Sequence, residues 1–135
     1  MHLLDTVVVS ELRKQHRNPH LVAWIANQRT PDLFLSVVTI GEIEQGIVQQ
    51  RGRNPAFAIT LARWLDTVLD LYADRVLAVD IPVARRWGQL SAAIGNQSAD
   101  LLIAATALEH GLTVVTRNTR HFTPTGVATL NPFNP

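Results

Sequence analysis

Short apolar runs alternate with longer segments of helical periodicity along the whole chain. The runs predict buried strands at HLLD (residues 2–5), LFLSVV (33–38), VLAV (76–79) and TVVT (113–116), and an edge strand at VATL (127–130). Between these runs, apolar residues recur at the spacing of an amphipathic helix. The pattern therefore predicts a chain of alternating strands and helices without a linker or an internal repeat.

Proline and glycine mark the ends of the predicted helices. Pro19, Pro55 and Pro82 each open a helix, and Gly95 and Gly111 each close one. The helices are expected in SELRKQ, HLVAWIANQ, TIGEIEQGIVQQRG, AFAITLARWLDTVLDLYADR, VARRWGQLSAAIG and SADLLIAATALEHG, with a turn or short helix at NTRHF. Strands that alternate with helices pair in parallel, so we expect one three-layer α/β/α domain over residues 1–135, with a central, mostly parallel sheet of four to five strands.

Polar side chains follow the predicted strands, with Glu42 in the first helical turn after the second one. These side chains are Asp5, Glu42, Asp80 and Asn118. Because parallel strands all end at one edge of the sheet, we expect the four to lie there. Asp100 follows no strand, but its helix is also expected to bring it to this edge. A single glycine joins the C-terminal end of that helix to the start of the fourth strand. The helix is about 18 Å long, which is enough to cross the sheet, so its first turn, with Asp100, lies where the strands end.

Each acidic residue also has a structural explanation when it is taken alone. Asp5 and Asp80 look like helix caps, Thr39 and Glu42 fit a capping box, and Asp100 lies favourably at the positive end of a helix dipole. Three or four carboxylates at one edge would nevertheless repel one another by about 4 kcal/mol per close pair at an effective dielectric constant near 20. A divalent cation would neutralise them, and oxygen ligands suit Mg²⁺ or Mn²⁺.

Composition limits the kinds of site that the chain can hold. The 135 residues are 47% hydrophobic and 17% charged, which is typical of one folded domain. The absence of cysteine excludes a disulfide framework and a thiolate metal site. The five histidines lack a metal-binding spacing, and neither a nucleophile elbow nor a P-loop is present.

Charge and hydropathy limit the partners and the location. The net charge of +1 does not point to nucleic acid, although all basic residues except Lys14 are arginines, which suit phosphate contacts. Neither a signal-peptide apolar region nor a run of about 20 apolar residues occurs, so we expect a cytoplasmic protein that does not span a membrane.

Four segments, in their order and spacing, resemble the PIN-domain family of the VapC/FitB toxin type. They are HLLDTVVVSEL, SVVTIGEIEQGI, SADLLIAATALEHGLTVVTRNTRHF and the terminal NPF. The resemblance covers essentially the whole chain. It implies a Mg²⁺- or Mn²⁺-dependent endoribonuclease toxin that cuts RNA, is paired with a small VapB-like antitoxin and forms a homodimer.

The resemblance also assigns roles to residues by motif position. The catalytic positions of the family fall on Asp5, Glu42, Asp100 and Asn118, and the hydroxyl positions beside the first and last of these fall on Thr6 and Thr116. We expect Asp5 and Asp100 to hold the metal and Glu42 to orient or deprotonate the attacking water. The expected substrate contacts lie beside these residues: Thr6, Thr116, Arg117 and Arg120, of which the two arginines could equally be solvated surface charges.

Two departures from the family pattern keep a second function open. Val7 replaces the asparagine that commonly follows the first Asp-Thr pair, and Asn118 is neutral where some relatives carry aspartate. Val7 removes one hydrogen bond around the site, and Asn118 leaves the site one negative charge short, which weakens the case for a second, tightly held metal ion. The alternative is a PIN-like module that binds RNA or an antitoxin partner without cleavage.

Phosphotransfer domains also place an aspartate and Mg²⁺ at the end of a strand, but this sequence does not fit them. The haloacid-dehalogenase type needs a second acid where Val7 stands, and a receiver domain needs a lysine near the last strands, whereas Lys14 is the only lysine.

For the expected dimer, the candidate surfaces are residues 55–75 and the helix around Arg86, Trp87 and Leu90.

Overall fold

Five parallel strands form the central sheet of the protein, which a computed structural model describes over all residues, Met1–Pro135. The strands are β1 (His2–Leu4), β2 (Leu33–Ser36), β3 (Val76–Leu77), β4 (Thr113–Val115) and β5 (Thr129–Leu130), in the spatial order β3-β2-β1-β4-β5. Every neighbouring pair is parallel, and Leu3 lies opposite Phe34 on one side and Val114 on the other. The expected parallel sheet is therefore confirmed, with β5 at an edge.

Seven α-helices connect the strands. They are α1 (Thr6–Arg13), α2 (Pro19–Ala26), α3 (Val37–Arg53), α4 (Pro55–Tyr72), α5 (Ile81–Ile94), α6 (Ala99–His110) and α7 (Thr119–Phe122), and single 3-10 turns span Thr30–Asp32, Ala73–Arg75 and Thr123–Thr125. As expected, Gly95 and Gly111 end α5 and α6, and both have the left-handed backbone that glycine adopts without strain. No helix is long and apolar enough to cross a membrane.

Helices cover both faces of the sheet, which makes three layers. Successive side chains of a strand point to opposite faces, so the adjacent residues Leu3 and Leu4 belong to different cores. Leu4 packs with residues of α1 to α4, whereas Leu3 packs with residues of α6 and α7. Both leucines are fully buried. The near-continuous apolar character of the strands follows from this burial on two sides.

Two helices begin earlier than the sequence pattern indicates. The expected capping box at Thr39 is wrong, because α3 starts at Val37, where the Ser36 hydroxyl accepts a hydrogen bond of 3.0 Å from the Val38 amide. Helix α1 starts at Thr6 and includes three consecutive valines, of which Val8 and Val9 are buried. Packing against the core outweighs the low helix propensity of these β-branched residues.

The strand order determines which strand ends can share a crevice. From β1 the chain proceeds to β2 and β3 on one side and later to β4 and β5 on the other, so β1 lies at a topological switch point. The segments that follow β1, β2 and β4 are therefore neighbours. Asp80 follows β3, with β2 between it and β1, and its side chain accepts a hydrogen bond of 3.1 Å from Val83 as the cap of α5.

Candidate active site

Asp5 is a buried carboxylate at the centre of this crevice, with an exposed fraction of 3%. Its backbone amide continues the ladder of β4 by donating to the Val115 carbonyl at 2.9 Å. Its Oδ1 accepts from the Thr6 amide at 2.8 Å, and its Oδ2 accepts from the Thr116 hydroxyl at 2.8 Å. Asp5 is thus the N-cap of α1 and is also tied to the loop after β4.

The surroundings of Asp5 make its charged form costly. The pKa of Asp5 is raised to about 6. Burial is the largest cause, the charges of Asp100 and Glu42 add to the rise, and hydrogen bonds from Thr116 and Thr6 oppose it. No arginine, lysine or histidine forms an ion pair with Asp5. The three carboxylates that the sequence placed at one edge therefore do interact electrostatically, and no basic side chain compensates Asp5.

Glu42 is held in place by a relay of hydroxyl groups. It lies in the second turn of α3, one turn later than expected, because the helix begins at Val37. The Thr6 hydroxyl donates its single proton to Glu42 Oε1 at 2.6 Å. In the contact of 2.9 Å between Thr6 Oγ1 and Thr39 Oγ1, Thr39 is therefore the donor. Thr39, which is fully buried, is a site residue that the sequence offered only as a helix cap.

Asp100 lies in the first turn of α6 and is half-exposed beside a histidine of α7. Its Oδ2 is 3.0 Å from Nδ1 of His121, which leaves Oδ1 free of side-chain partners. The N-cap residue, Ser98, makes no side-chain capping bond. The sequence gave no sign of this pair, because the two residues meet only through the packing of α6 and α7.

Thr116 and Asn118 shape the loop that follows β4. The Thr116 hydroxyl is fully buried, donates to Asp5 and accepts from the Asn118 amide at 2.9 Å. Asn118 begins α7 without a side-chain capping bond, and it is partly exposed. Thr116 therefore positions Asp5 and Asn118 together.

The two arginines of this loop have different surroundings. The Arg117 guanidinium lies 4.2 Å from the centroid of the Phe133 ring, and its Nη2 is 3.4 Å from Glu11 Oε1. Arg120 is exposed and forms no ion pair. Residues 117–121 line a polar depression of about 350 Å³. The free cation of this loop is thus Arg120, whereas Arg117 binds to the C-terminal segment.

Glu11 is a second buried carboxylate, which the sequence did not mark as special. Lys14 donates to it at 3.0 Å and the Asn18 amide at 3.0 Å, and these bonds, with the nearby Arg117 charge, lower the pKa of Glu11. The Lys14 hydrogen bond is the largest cause. Glu11 is therefore compensated by cations, in contrast to Asp5.

The donor set at the crevice fits a hard divalent cation. No three side chains of His, Asp or Glu lie close enough to form a complete metal site. Mg²⁺ is commonly bound by only one or two carboxylates, with water and substrate phosphate as its other ligands, so a site with fewer than three acidic side chains still fits this ion. Asp5 and Asp100 both supply oxygen donors at one edge of the sheet, next to the carboxylate of Glu42.

Comparison with known proteins gives matches over nearly the whole chain. A family model described as PIN domain matches residues 2–125. Toxin FitB from Neisseria gonorrhoeae is 34% identical over 142 residues, covering 99% of this chain and 99% of that protein. VapC ribonuclease Y4jK from Sinorhizobium fredii is 35% identical over 140 residues, covering 100% of this chain and 99% of that protein.

Solved structures match the fold from end to end. The crystal structure of FitAcB from Neisseria gonorrhoeae superimposes with a TM-score of 0.88 at 36% identity, covering 100% of both chains. VapBC2 from Rickettsia felis, bound to a DNA fragment from its promoter, gives a TM-score of 0.72 at 16% identity, covering 96% of this chain and 97% of that one. The second likeness, at this low identity, concerns the fold alone.

Proposed function

The chain belongs to the PIN-domain family, and from this premise we propose that it is a Mg²⁺- or Mn²⁺-dependent endoribonuclease, the toxin of a VapBC-like toxin–antitoxin pair. Relatives that carry the names toxin and ribonuclease support this proposal. The proposed reaction is hydrolysis of an RNA phosphodiester bond by a water molecule.

One observation carries the proposal: the buried, uncompensated carboxylate of Asp5 beside Asp100 and Glu42. Asparagine caps a helix about as well as aspartate does, so capping alone does not require a charge at this position. A buried charge that lacks a partner is costly and calls for a cation. We therefore assign Asp5 and Asp100 as the residues that would hold the metal.

The residues around this pair would each have a definite task. When bound, Mg²⁺ or Mn²⁺ supplies Lewis acidity at the phosphate and activates water for attack. Glu42, oriented by Thr6, would accept the proton of the attacking water. Thr116 would keep Asp5 oriented, and Asn118 would donate to a phosphate oxygen.

Substrate binding is proposed for the same loop. Arg120 is the free cation that would contact a phosphate of the RNA backbone. Thr6 and Thr116, proposed as substrate contacts, act here first through Glu42 and Asp5. Arg117 would contribute a phosphate contact only by leaving Glu11, so we rank Arg120 before it.

The proposed partners are a small VapB-like antitoxin and a second copy of the chain, and the proposed location is the cytoplasm. The solved structures of FitAcB and of FitAB bound to a DNA fragment, at 36% and 35% identity, support an antitoxin partner. Exposed apolar side chains on α4, including Ile59 and Leu71 at 55% and 60% exposure, support an interaction surface within residues 55–75.

Incubation of the purified chain with total RNA tests the function. We expect cleavage with Mg²⁺ or Mn²⁺, none with EDTA, and a loss of at least about 100-fold in rate for Asp100→Asn, which removes a charged ligand but keeps the side-chain volume. RNA binding without cleavage would favour the non-catalytic module instead. An Asp100→Asn protein that is folded and cuts as fast as the wild type would contradict the metal assignment.

A further inference from the structure

A pocket of about 170 Å³ lies between α1, α3 and α4, directly beside the carboxylate cluster. Thr6 and Glu42, which belong to that cluster, also line this pocket. Its other walls include the rings of Phe57 and Trp64 and the side chain of Arg13. The pocket is thus continuous with the place where a scissile phosphate would be bound.

We propose that this pocket binds an unpaired nucleobase of single-stranded RNA, next to the phosphodiester bond that is cut. The proposal rests on the ribonuclease function proposed above. It adds a binding site for a base to a site that otherwise contacts only phosphate and water.

The chemistry of the walls fits a base. The Arg13 guanidinium lies 5.2 Å from the centroid of the Phe57 ring, and Phe57 and Trp64 are both partly exposed. Proteins recognise single-stranded RNA by stacking splayed bases on aromatic rings and on arginine planes. Ser10 and Trp64 also line the pocket, and each carries a hydrogen-bond donor of the kind that the polar edge of a base accepts from.

Charge also favours RNA over a protein side chain as the occupant. Arg13 forms no ion pair, so its charge is available to the phosphate that would follow the bound base. The pocket holds one charge of each sign, so an acidic side chain of a protein partner would meet the like charge of Glu42 and a basic one that of Arg13, whereas a base is neutral. A nucleotide can place its base against the aromatic walls of the pocket and its phosphate at the carboxylate cluster, so it matches both parts of this region at once.

Gly46 allows the pocket to be filled without removing any native contact. It lies inside α3, lines the pocket, and a Cβ added to it meets no atom within 4 Å. Leucine is also a better helix former than glycine, so Gly46→Leu is expected to fold normally. Gly52 has equally open space on the same helix but does not line the pocket, which makes Gly52→Leu the matched control.

The test uses a single-stranded RNA oligonucleotide that spans a mapped cut, together with two versions that carry an abasic nucleotide on either side of it. For the wild type, we expect one abasic version to lower kcat/KM by about 5- to 150-fold, the range of one lost base stack. Gly46→Leu should lose a similar factor on the intact RNA and become insensitive to that abasic change. Gly52→Leu should behave like the wild type, and the shift in Tm caused by Mn²⁺ should be the same in all three proteins.

Several outcomes would overturn the proposal, and they are distinguishable. A wild type that is indifferent to both abasic changes would contradict it directly, as would Gly46→Leu with wild-type kcat/KM. If Gly46→Leu cuts RNA normally but escapes inhibition by the antitoxin, the occupant is a protein side chain and the base assignment is wrong. A wild type that cuts no RNA with Mg²⁺ or Mn²⁺ removes the proposed function itself, and this pocket assignment with it.

Discussion

At the scale of single residues, Asp5 and Glu11 show what decides the state of a buried carboxylate. Both are nearly inaccessible to solvent, at 3% and 5% exposure. Cationic partners lower the pKa of Glu11, whereas burial and neighbouring carboxylates raise that of Asp5. The sequence predicted the position of Asp5 at a strand end, but it did not identify Glu11, because the burial of Glu11 and its contact with Arg117, 106 residues away in the chain, depend on tertiary packing.

The contrast of Asp5 with Asp80 separates a helix cap from a member of a charged cluster. Asp5→Asn should preserve the cap but abolish RNA cleavage, and it should raise the metal-free Tm because it relieves repulsion between like charges. Mg²⁺ should then stabilise the wild type more than the variant. Asp80→Asn, the control, should change neither activity nor the response to Mg²⁺. Wild-type cleavage by Asp5→Asn would leave Asp5 with a purely structural role.

The raised pKa of Asp5 also predicts how metal-free stability depends on pH. Since the pKa is about 6 in the folded protein and about 4 in the unfolded chain, the folded state binds this proton more tightly. The stabilisation is complete below about pH 4 and is lost as the pH rises through 6, for a total on the order of 3 kcal/mol. Urea unfolding in EDTA from pH 4 to 8 measures this stabilisation as the difference in free energy of unfolding between the wild type and Asp5→Asn. A difference that is constant with pH would contradict the prediction.

At the scale of secondary structure, the sequence predicted the type of nearly every element but not every boundary. Apolar period, proline and glycine are local signals, and they placed α2, α4, α5 and α6 within a few residues. The sequence pattern predicts a start of α3 at Thr39, because Val37 and Val38 continue the apolar run of the preceding strand, whereas the helix starts at Val37. Packing and the buried hydroxyl of Ser36 decide that boundary, and both depend on the tertiary structure.

The caps of α3 and α6 give a prediction at this scale. Ser36→Ala removes the hydrogen bond to the Val38 amide and should lower the free energy of unfolding by about 1 kcal/mol. Ser98→Ala is the matched control, because Ser98 caps α6 without a side-chain hydrogen bond and is exposed. Urea unfolding curves of the two variants should differ. Equal stability of both would show that the Ser36 hydroxyl does not stabilise α3.

At the scale of the whole molecule, strand order is what the sequence could not supply. Alternation of strands and helices predicts a parallel sheet, and all strands of such a sheet end at one edge. It does not say that β1 lies between β2 and β4, which brings Asp5, Glu42 and Thr116 together and leaves Asp80 outside. The pairing of α7 with α6, and hence His121 with Asp100, depends likewise on packing between distant segments. The roles of the site residues stay predictions.

Self-association is a prediction at this scale. We expect light scattering at micromolar concentration to give about twice the chain mass of 14.9 kDa. Leu71→Glu on α4 and Trp87→Ala on α5 test the two candidate surfaces, and the variant that becomes monomeric identifies the one in use. Only monomer in the wild type would contradict the prediction.

The position of β1 between β2 and β4 has a consequence for biosynthesis. Asp5 receives its hydrogen bond from Thr116, which is 111 residues later in the chain. Until β4 has left the ribosome, β1 lacks one of its two neighbours, Asp5 lacks that partner, and α6 has no fourth strand to fix its position. Such long-range pairing forms late. We therefore expect the nascent chain to lack the complete carboxylate site until β4 and Thr116 have left the ribosome and paired with β1 and Asp5.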